Sequence, residues 1–392
     1  MRVWRRTGFG GGGHESCRPR PWIRLALALA TALIFSASFG EVALAQCPGG
    51  PPVNIGPFAP CVPSTPTLNP SAANAHLSAE AGVLDLATQY LQRLNALGTF
   101  KTGASGAANP QGGGAEPDAE RFRTWFEGYA LRATTDAQGT FTGDSRKTYG
   151  GVAGFGATLA PGVNVGLSVD QGQTMIDIAG VQQTGRIDLT QIGGLATFEH
   201  GPWNLGLTGV HGFGNVKSNR FDGVGTSIAA YHAQLWAAMA ELSYYHALPE
   251  NSRLVPKLTF DWMHTHTDAF SEIGGTGPAT GSAVEATRVR MMIGAELGHS
   301  WLVDRRIVDF LVYGRFVDNL QQNFGSLQVT FASGAGAPVL VSGVRESQYG
   351  ADAGATLSTK VTDSMRLYLV YDGRYRSNLV SHGGTAGAEF RF

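Results

Sequence analysis

The chain has 392 residues, a formal net charge of −1, 15% charged and 43% hydrophobic residues, and 54 glycines. A charged fraction well under the ~25% of soluble domains, with ordinary hydrophobicity, excludes both a disordered polyelectrolyte and a basic nucleic-acid surface. Only one long apolar stretch exists, near the start, which excludes a bundle of membrane helices. Abundant glycine and aromatics with few charges fit strands that face lipid on one side.

Arg18, Arg20 and Arg24 lead into a nearly unbroken small and apolar run over residues 25–39, followed by Ala43-Leu44-Ala45. A positive flank, a short apolar run and a small-x-small triplet make a secretory signal cut between Ala45 and Gln46. The run is too short for a membrane helix of about 20 residues. Residues 1–45 are therefore expected to be a signal peptide. Cys17 would leave with it, and Cys47 and Cys61 would remain. An oxidising compartment permits a disulfide between them, two unpaired thiols being the other reading.

Residues 46–69 are Pro-rich and read as an extended, passenger-like segment. Residues 70–98 read as a helix: Asn69 suits the cap and Pro70 the first turn. Leu84, Leu91 and Leu94, with Ala81, Tyr90 and Leu97, keep helical spacing, and Gly98 suits the end. Residues 99–120 read as a Gly-rich linker.

From residue 121 to 392 the period changes to two. Twelve strands are expected, beginning near Arg123, Tyr149, Val163, Arg186, Trp203, Tyr231, Leu254, Arg288, Ile307, Gln348, Met365 and Leu379. Connections alternate. Short ones fall at residues 160–162, 200–202, 249–252, 304–306 and 359–364. Long ones fall at 134–148, 175–185, 214–227, 267–285 and 321–347, with a short exception at 374–378. An up-and-down membrane barrel predicts this alternation; a soluble sandwich does not. Facing agrees. Val289, Met291, Ile293, Ala295 and Leu297 oppose Arg288, Arg290 and Glu296; Val308, Phe310, Val312 and Phe316 oppose Asp309 and Arg315; Ala386, Ala388, Phe390 and Phe392 oppose Thr385, Glu389 and Arg391. Trp125 and Phe126 lie on opposite faces and leave the first strand ambiguous. Glycines in residues 149–159 would let the wall curve or something pack close inside. Trp125, Trp203, Trp262, Tyr244 and Trp301 are candidates for interfacial girdles.

Three stretches carry a resemblance. The chain ends in Gly383-Gly384-Thr385-Ala386-Gly387-Ala388-Glu389-Phe390-Arg391-Phe392, whose Ala386, Ala388, Phe390 and Phe392 are similar to an outer-membrane barrel-assembly signal. Tyr371-Asp372-Gly373-Arg374 resembles a penultimate hairpin. Phe270-Ser271-Glu272-Ile273-Gly274 contains Ser271, Glu272 and Gly274, similar to a Glu-x-Gly element. Together with the preceding helix they resemble the autotransporter (type V secretion) translocator family over residues 72–392. The resemblance implies an all-β fold, a twelve-stranded antiparallel transmembrane β-barrel with an N-terminal α-helix in or near the pore, in a Gram-negative outer membrane. It implies as partners outer-membrane lipid, the barrel-insertion machinery, the secretion translocon and periplasmic chaperones. Nucleic acid, cofactors and enzymatic activity are not implied. The departures are a passenger of only residues 46–69 and a lone Asn95 where self-cleaving members carry paired asparagines.

His264, His266 and Asp268 alternate along one strand face as metal ligands would; the plainer reading puts them at the water-exposed rim. Ser, His and Asp combinations lack a Gly-x-Ser-x-Gly elbow. The expected function is a translocator and surface anchor for the short N-terminal segment. The alternatives are a porin-like or structural barrel, or an adhesin acting on surface or host ligands through residues 267–285 and 321–347.

Overall fold

The computed structural model describes residues 70–104, 121–304, 306–331 and 338–392, with helix side chains from 72 to 97. Ala43, Ala45, Gln46, Cys47, Cys61 and Asn69 lie outside the described residues.

A 3-10 turn, Pro70–Ala73, leads into helix α1, Asn74–Ala104. The α-helix thus starts four residues after Pro70 and runs through Gly98 instead of ending there. One glycine costs a helix interior only ~1 kcal/mol, and the next residues offer no proline to stop it.

Twelve antiparallel strands close into a barrel. They are β1 (Phe122–Thr135), β2 (Asp144–Ala160), β3 (Val163–Ile178), β4 (Gln183–His200), β5 (Trp203–Phe221), β6 (Thr226–Tyr244), β7 (Ser252–Thr267), β8 (Val284–Val303), β9 (Arg306–Phe324), β10 (Tyr349–Lys360), β11 (Met365–Arg376) and β12 (Leu379–Arg391). Each pairs with its sequence neighbours, and closure comes from β1 against β12, from Arg123↔Arg391 to Thr135↔Leu379. The backbone of Phe392 exchanges two hydrogen bonds with Phe122, at 2.9 and 3.0 Å. No strand edge is left for lipid, which could not satisfy it.

At one end the connections are tight. Gly162 turns β2 into β3 at φ 76°, and Glu250 and Asn251 turn into β7 at φ 58° and 57°, the left-handed pair a primed hairpin needs. The opposite end corrects two expectations. Residues 175–185 and 214–227 are not long loops: β3 and β4 are joined by residues 179–182, and β5 and β6 by 222–225. These hairpins keep their ladders well past the aromatic residues. Beyond lipid both faces can be polar, so the alternation that marks a membrane strand vanishes although the pairing continues.

Of the remaining three long connections, residues 136–143 hold only an isolated bridge between Gln138 and Phe141, and the other two carry strands of their own. Phe270–Ser271, Ala279–Gly281, Ser326–Phe331 and Val339–Ser342 form a separate four-stranded sheet, while Ile273–Gly274 pairs with the start of β6.

Candidate functional site

Along each strand the alternation sorts residues between an apolar outer face and a filled lumen. Phe126, Phe213, Trp236, Trp262, Phe316 and Phe390 are exposed outside. Trp203 belongs with them, but Trp125 does not: it is fully buried in the lumen, where a Cβ on Gly154 would overlap its ring. The first strand's ambiguity is therefore resolved by a neighbouring glycine, and Trp236 takes a girdle position that had not been singled out.

Helix α1 occupies the lumen and has a definite polarity. At its start, Asn74 donates to Thr142 Oγ1 at 3.1 Å and the Ala75 amide to Gln183 Oε1 at 3.3 Å, both from the long-connection end. Towards its finish, Arg123 near the start of β1 donates to the Leu97 carbonyl at 2.6 Å. The helix therefore runs from the long-connection end to the end that also holds Phe122 and Phe392.

Its apolar flank lies against β3 to β6. Leu77, Leu84, Leu86, Tyr90, Leu91 and Leu94 are all at most 1% exposed. The approach is close because the wall offers glycine: a Cβ on Gly193 would stand 2.7 Å from Leu94 Cδ2 and 2.9 Å from the Tyr90 hydroxyl. That hydroxyl donates to the Ser168 carbonyl at 2.8 Å.

Charge holds the rest. Asp85 accepts from Arg374 of β11 at 2.7 Å and lies 3.1 Å from Arg146 of β2. Arg93 lies 3.2 Å from Asp170 and 3.7 Å from Glu127, with its guanidinium 3.6 Å above the Tyr129 ring. Arg288 donates to Thr88. Glu346, ahead of β10, reaches in from the long connection to meet Arg288, Arg374 at 2.9 Å and Arg376 at 3.4 Å. Part of residues 321–347 is thus a lumen element, not only an outward-facing loop, because three inward arginines on β8 and β11 need a carboxylate.

The wall's remaining charges pair among themselves: Arg290 with Asp261, Lys257 with Glu296 at 2.6 Å, and Arg253 with Asp309 at 2.6 Å. Arg315 lies 4.5 Å from the Tyr313 ring. A cavity of about 90 Å³ persists between Gln92 and Arg93 on the helix and Arg253, Arg315 and Asp372 on the wall.

Residues 270–274 clasp the helix entry. Glu272, 5% exposed, accepts from Arg220 of β5 at 3.1 Å and from the Ala279 amide at 2.8 Å. Ser271 pairs with Thr280, and Gly274 takes φ 83° beside Ser227. Phe270 stacks on His76 with centroids 3.5 Å apart. Ala386, Phe390 and Phe392 face outward on β12, with Ala388 on the same face. His264 meets Thr287 at 3.1 Å, and His266 lies 3.4 Å from Asp268 and 3.5 Å from Glu285. Among the described residues no group of three or more such side chains is placed to hold a metal.

The family model described as Autotransporter beta-domain matches residues 124–372. Among solved structures, the chain is similar to the translocator domain of autotransporter NalP from Neisseria meningitidis, at 13% identity and TM-score 0.62, covering 82% of this chain and 100% of that one. It is also similar to the beta domain of the Bordetella autotransporter BrkA, at 18% identity and TM-score 0.51, covering 70% of this chain and 100% of that one. No curated protein matches the chain in sequence.

Proposed function

The chain belongs to the autotransporter β-domain family, and from that membership we propose that it carries its own segment ahead of Pro70 across the outer membrane and anchors it at the cell surface. Its barrel is an outer-membrane translocator. The observation that supports self-display is the polarity of α1. Outer-membrane barrels turn short connections to the periplasm and long ones outward. Under that rule the helix enters the lumen from outside, so the chain before Pro70 starts on the exterior. In the same reading residues 1–45 are the export signal cut after Ala45, residues 46–69 are the displayed segment, and residues 105–120 link the helix back to β1. Ala386, Ala388, Phe390 and Phe392 serve the barrel-insertion machinery, presenting an outward apolar row on the strand that closes the wall. Translocation calls on no catalytic group, and a helix buried on nearly every side speaks against a standing open channel.

An epitope inserted beside Pro63 tests this. Antibody labelling of intact cells is the expected result. Labelling only after permeabilisation, with the barrel still in the outer membrane, would put the segment in the periplasm and overturn the proposal.

A further inference from the structure

Inside the lumen the arginines sit among carboxylates or aromatic rings. On the outer face, beyond the aromatic residues, cations stand differently. Pairing sets Arg132 of β1 opposite Lys147 of β2, Lys147 opposite Met175 of β3, Met175 opposite Arg186 of β4, and Arg186 opposite Lys217 of β5. All five side chains are exposed on the outward face. Among the described residues Arg132 and Lys147 have no hydrogen-bond or ion-pair partner, while Lys217 lies within electrostatic reach of Asp188. Arg186 shares its charge with Asp188 at 2.9 Å, and Asp177 stands on the next row, opposite Ser145 and Thr184. The row as a whole remains positive.

Its height is fixed by the aromatics. Lys147 lies two residues past Tyr149 on the same face of β2, and Lys217 lies between Phe213 and Phe221 on β5, four residues from each; the Tyr149 and Phe213 rings are exposed, at 43% and 47%. On the other flank Arg132 is opposite His382, which shares a 2.7 Å hydrogen bond with the Tyr371 hydroxyl. Aromatic rings of this kind sit where acyl chains give way to headgroups. Side chains just past them reach headgroup phosphates with their charged tips while their stems stay along the wall.

We propose that this row binds the phosphorylated headgroup of a lipid in the leaflet at the long-connection end. Strands are ~4.8 Å apart, so Arg132 to Lys217 spans about 19 Å. That length suits a headgroup carrying more than one phosphate, and the unpaired cations supply the complementary charge. The site rests on the barrel's place in the membrane and not on what it exports.

The test uses the full chain reconstituted in phosphatidylcholine vesicles containing rough lipopolysaccharide, extracted in mild detergent and analysed for co-purified lipid by native mass spectrometry. The variant R132Q/K147Q/R186Q/K217Q is expected to lose retained lipopolysaccharide. Removing Arg132 and Lys147 alone accounts for about thirtyfold in affinity. The charge-keeping variant R132K/K147R/R186K/K217R should retain it, and dephosphorylated glycolipid should be retained poorly by the unaltered chain. Heat-dependent gel mobility reports whether each barrel is closed, and the double variant R132Q/K147Q replaces the quadruple one if that fails to fold. Equal retention by the neutralised barrel overturns the proposal. So does equal retention of the dephosphorylated lipid, or preferential binding of soluble heparin over lipopolysaccharide.

Discussion

The two sides of the lumen hold the same helix by different means. Against β3 to β6 the helix is seated, with Leu86, Tyr90 and Leu94 pressed on a wall that has glycine at Gly172 and Gly193. Towards β8 to β11 it is tethered, with Asp85 to Arg374 and Thr88 to Arg288 reaching across to charges already fixed by Glu346 and Asp261. Two further ion pairs, Arg93 to Asp170 on β3 and Asp85 to Arg146 on β2, border the seat. Seating depends on side chains that are missing and tethering on side chains that are present. A barrel whose lumen must once pass a chain and then hold its last segment gains from this division. The apolar seat excludes water, and the polar tether aligns the helix against a definite set of partners.

Breaking the tether should have the largest effect. Asp85→Ala leaves Arg374 and Arg146 buried with one fewer carboxylate each. Opening a buried pair costs 3–5 kcal/mol, and the remaining partners, Glu346 and Asp144, hold this case near the low end, at ~3 kcal/mol. The expected result is a barrel that still closes but whose helix becomes accessible to protease, with a lowered temperature for the heat-induced gel shift. Asp85→Asn should fall between the two. If Asp85→Ala leaves helix protection unchanged, the charges serve the wall alone.

Breaking the seat comes next. Gly193→Leu puts a side chain where Leu94 and Tyr90 already lie; overpacking costs typically 1–3 kcal/mol. The helix should lift from β4 while its tether to Arg374 persists, so the altered protection should concentrate in the half of α1 around Tyr90. A second change, Leu94→Ala, should recover part of the loss. Failure of that rescue would mean the close approach does not govern the fit.

The same division decides what could be read from the sequence. Period two and the terminal row to Phe392 were legible, because one face of every strand must satisfy lipid; the alternation of connections was legible only in part, since residues 179–182 and 222–225 are short turns. Charges such as Arg288, Arg290 and Asp309 were legible as inward-facing for the same reason. Their partners were not: Glu346 sits in a connection, and nothing local marks it as the carboxylate that three arginines on distant strands require. The seat was least legible, since glycine at 172 or 193 reads as flexibility until a helix is placed beside it. Trp125 was misplaced for this reason, its inward turn depending on Gly154 across the pair. The length of β3 to β6 was missed because their outer turns leave lipid, where polarity no longer distinguishes strand from loop.

The mouth offers the smallest and most specific test. Asp222, in the turn between β5 and β6, accepts from the backbone amides of Gly225, Thr276 and Val224 and from the Thr276 hydroxyl. The amide bonds, chiefly those of Gly225 and Thr276, hold its carboxyl well below the ordinary carboxylate range. They favour the charged form, so the turn's hold on Thr276 is fully present above the ordinary value of ~3.9. It is lost only as pH falls further, through the lowered value in the folded state. Hydrogen exchange at the Thr276 amide should therefore stay protected from neutral pH to mildly acidic conditions and open in stronger acid. Asp222→Asn should weaken that protection at neutral pH without moving the barrel's heat-induced gel shift. Loss of protection already near neutrality in the unaltered chain would show that the turn, like the lumen's glycine seat, is held by packing instead of charge.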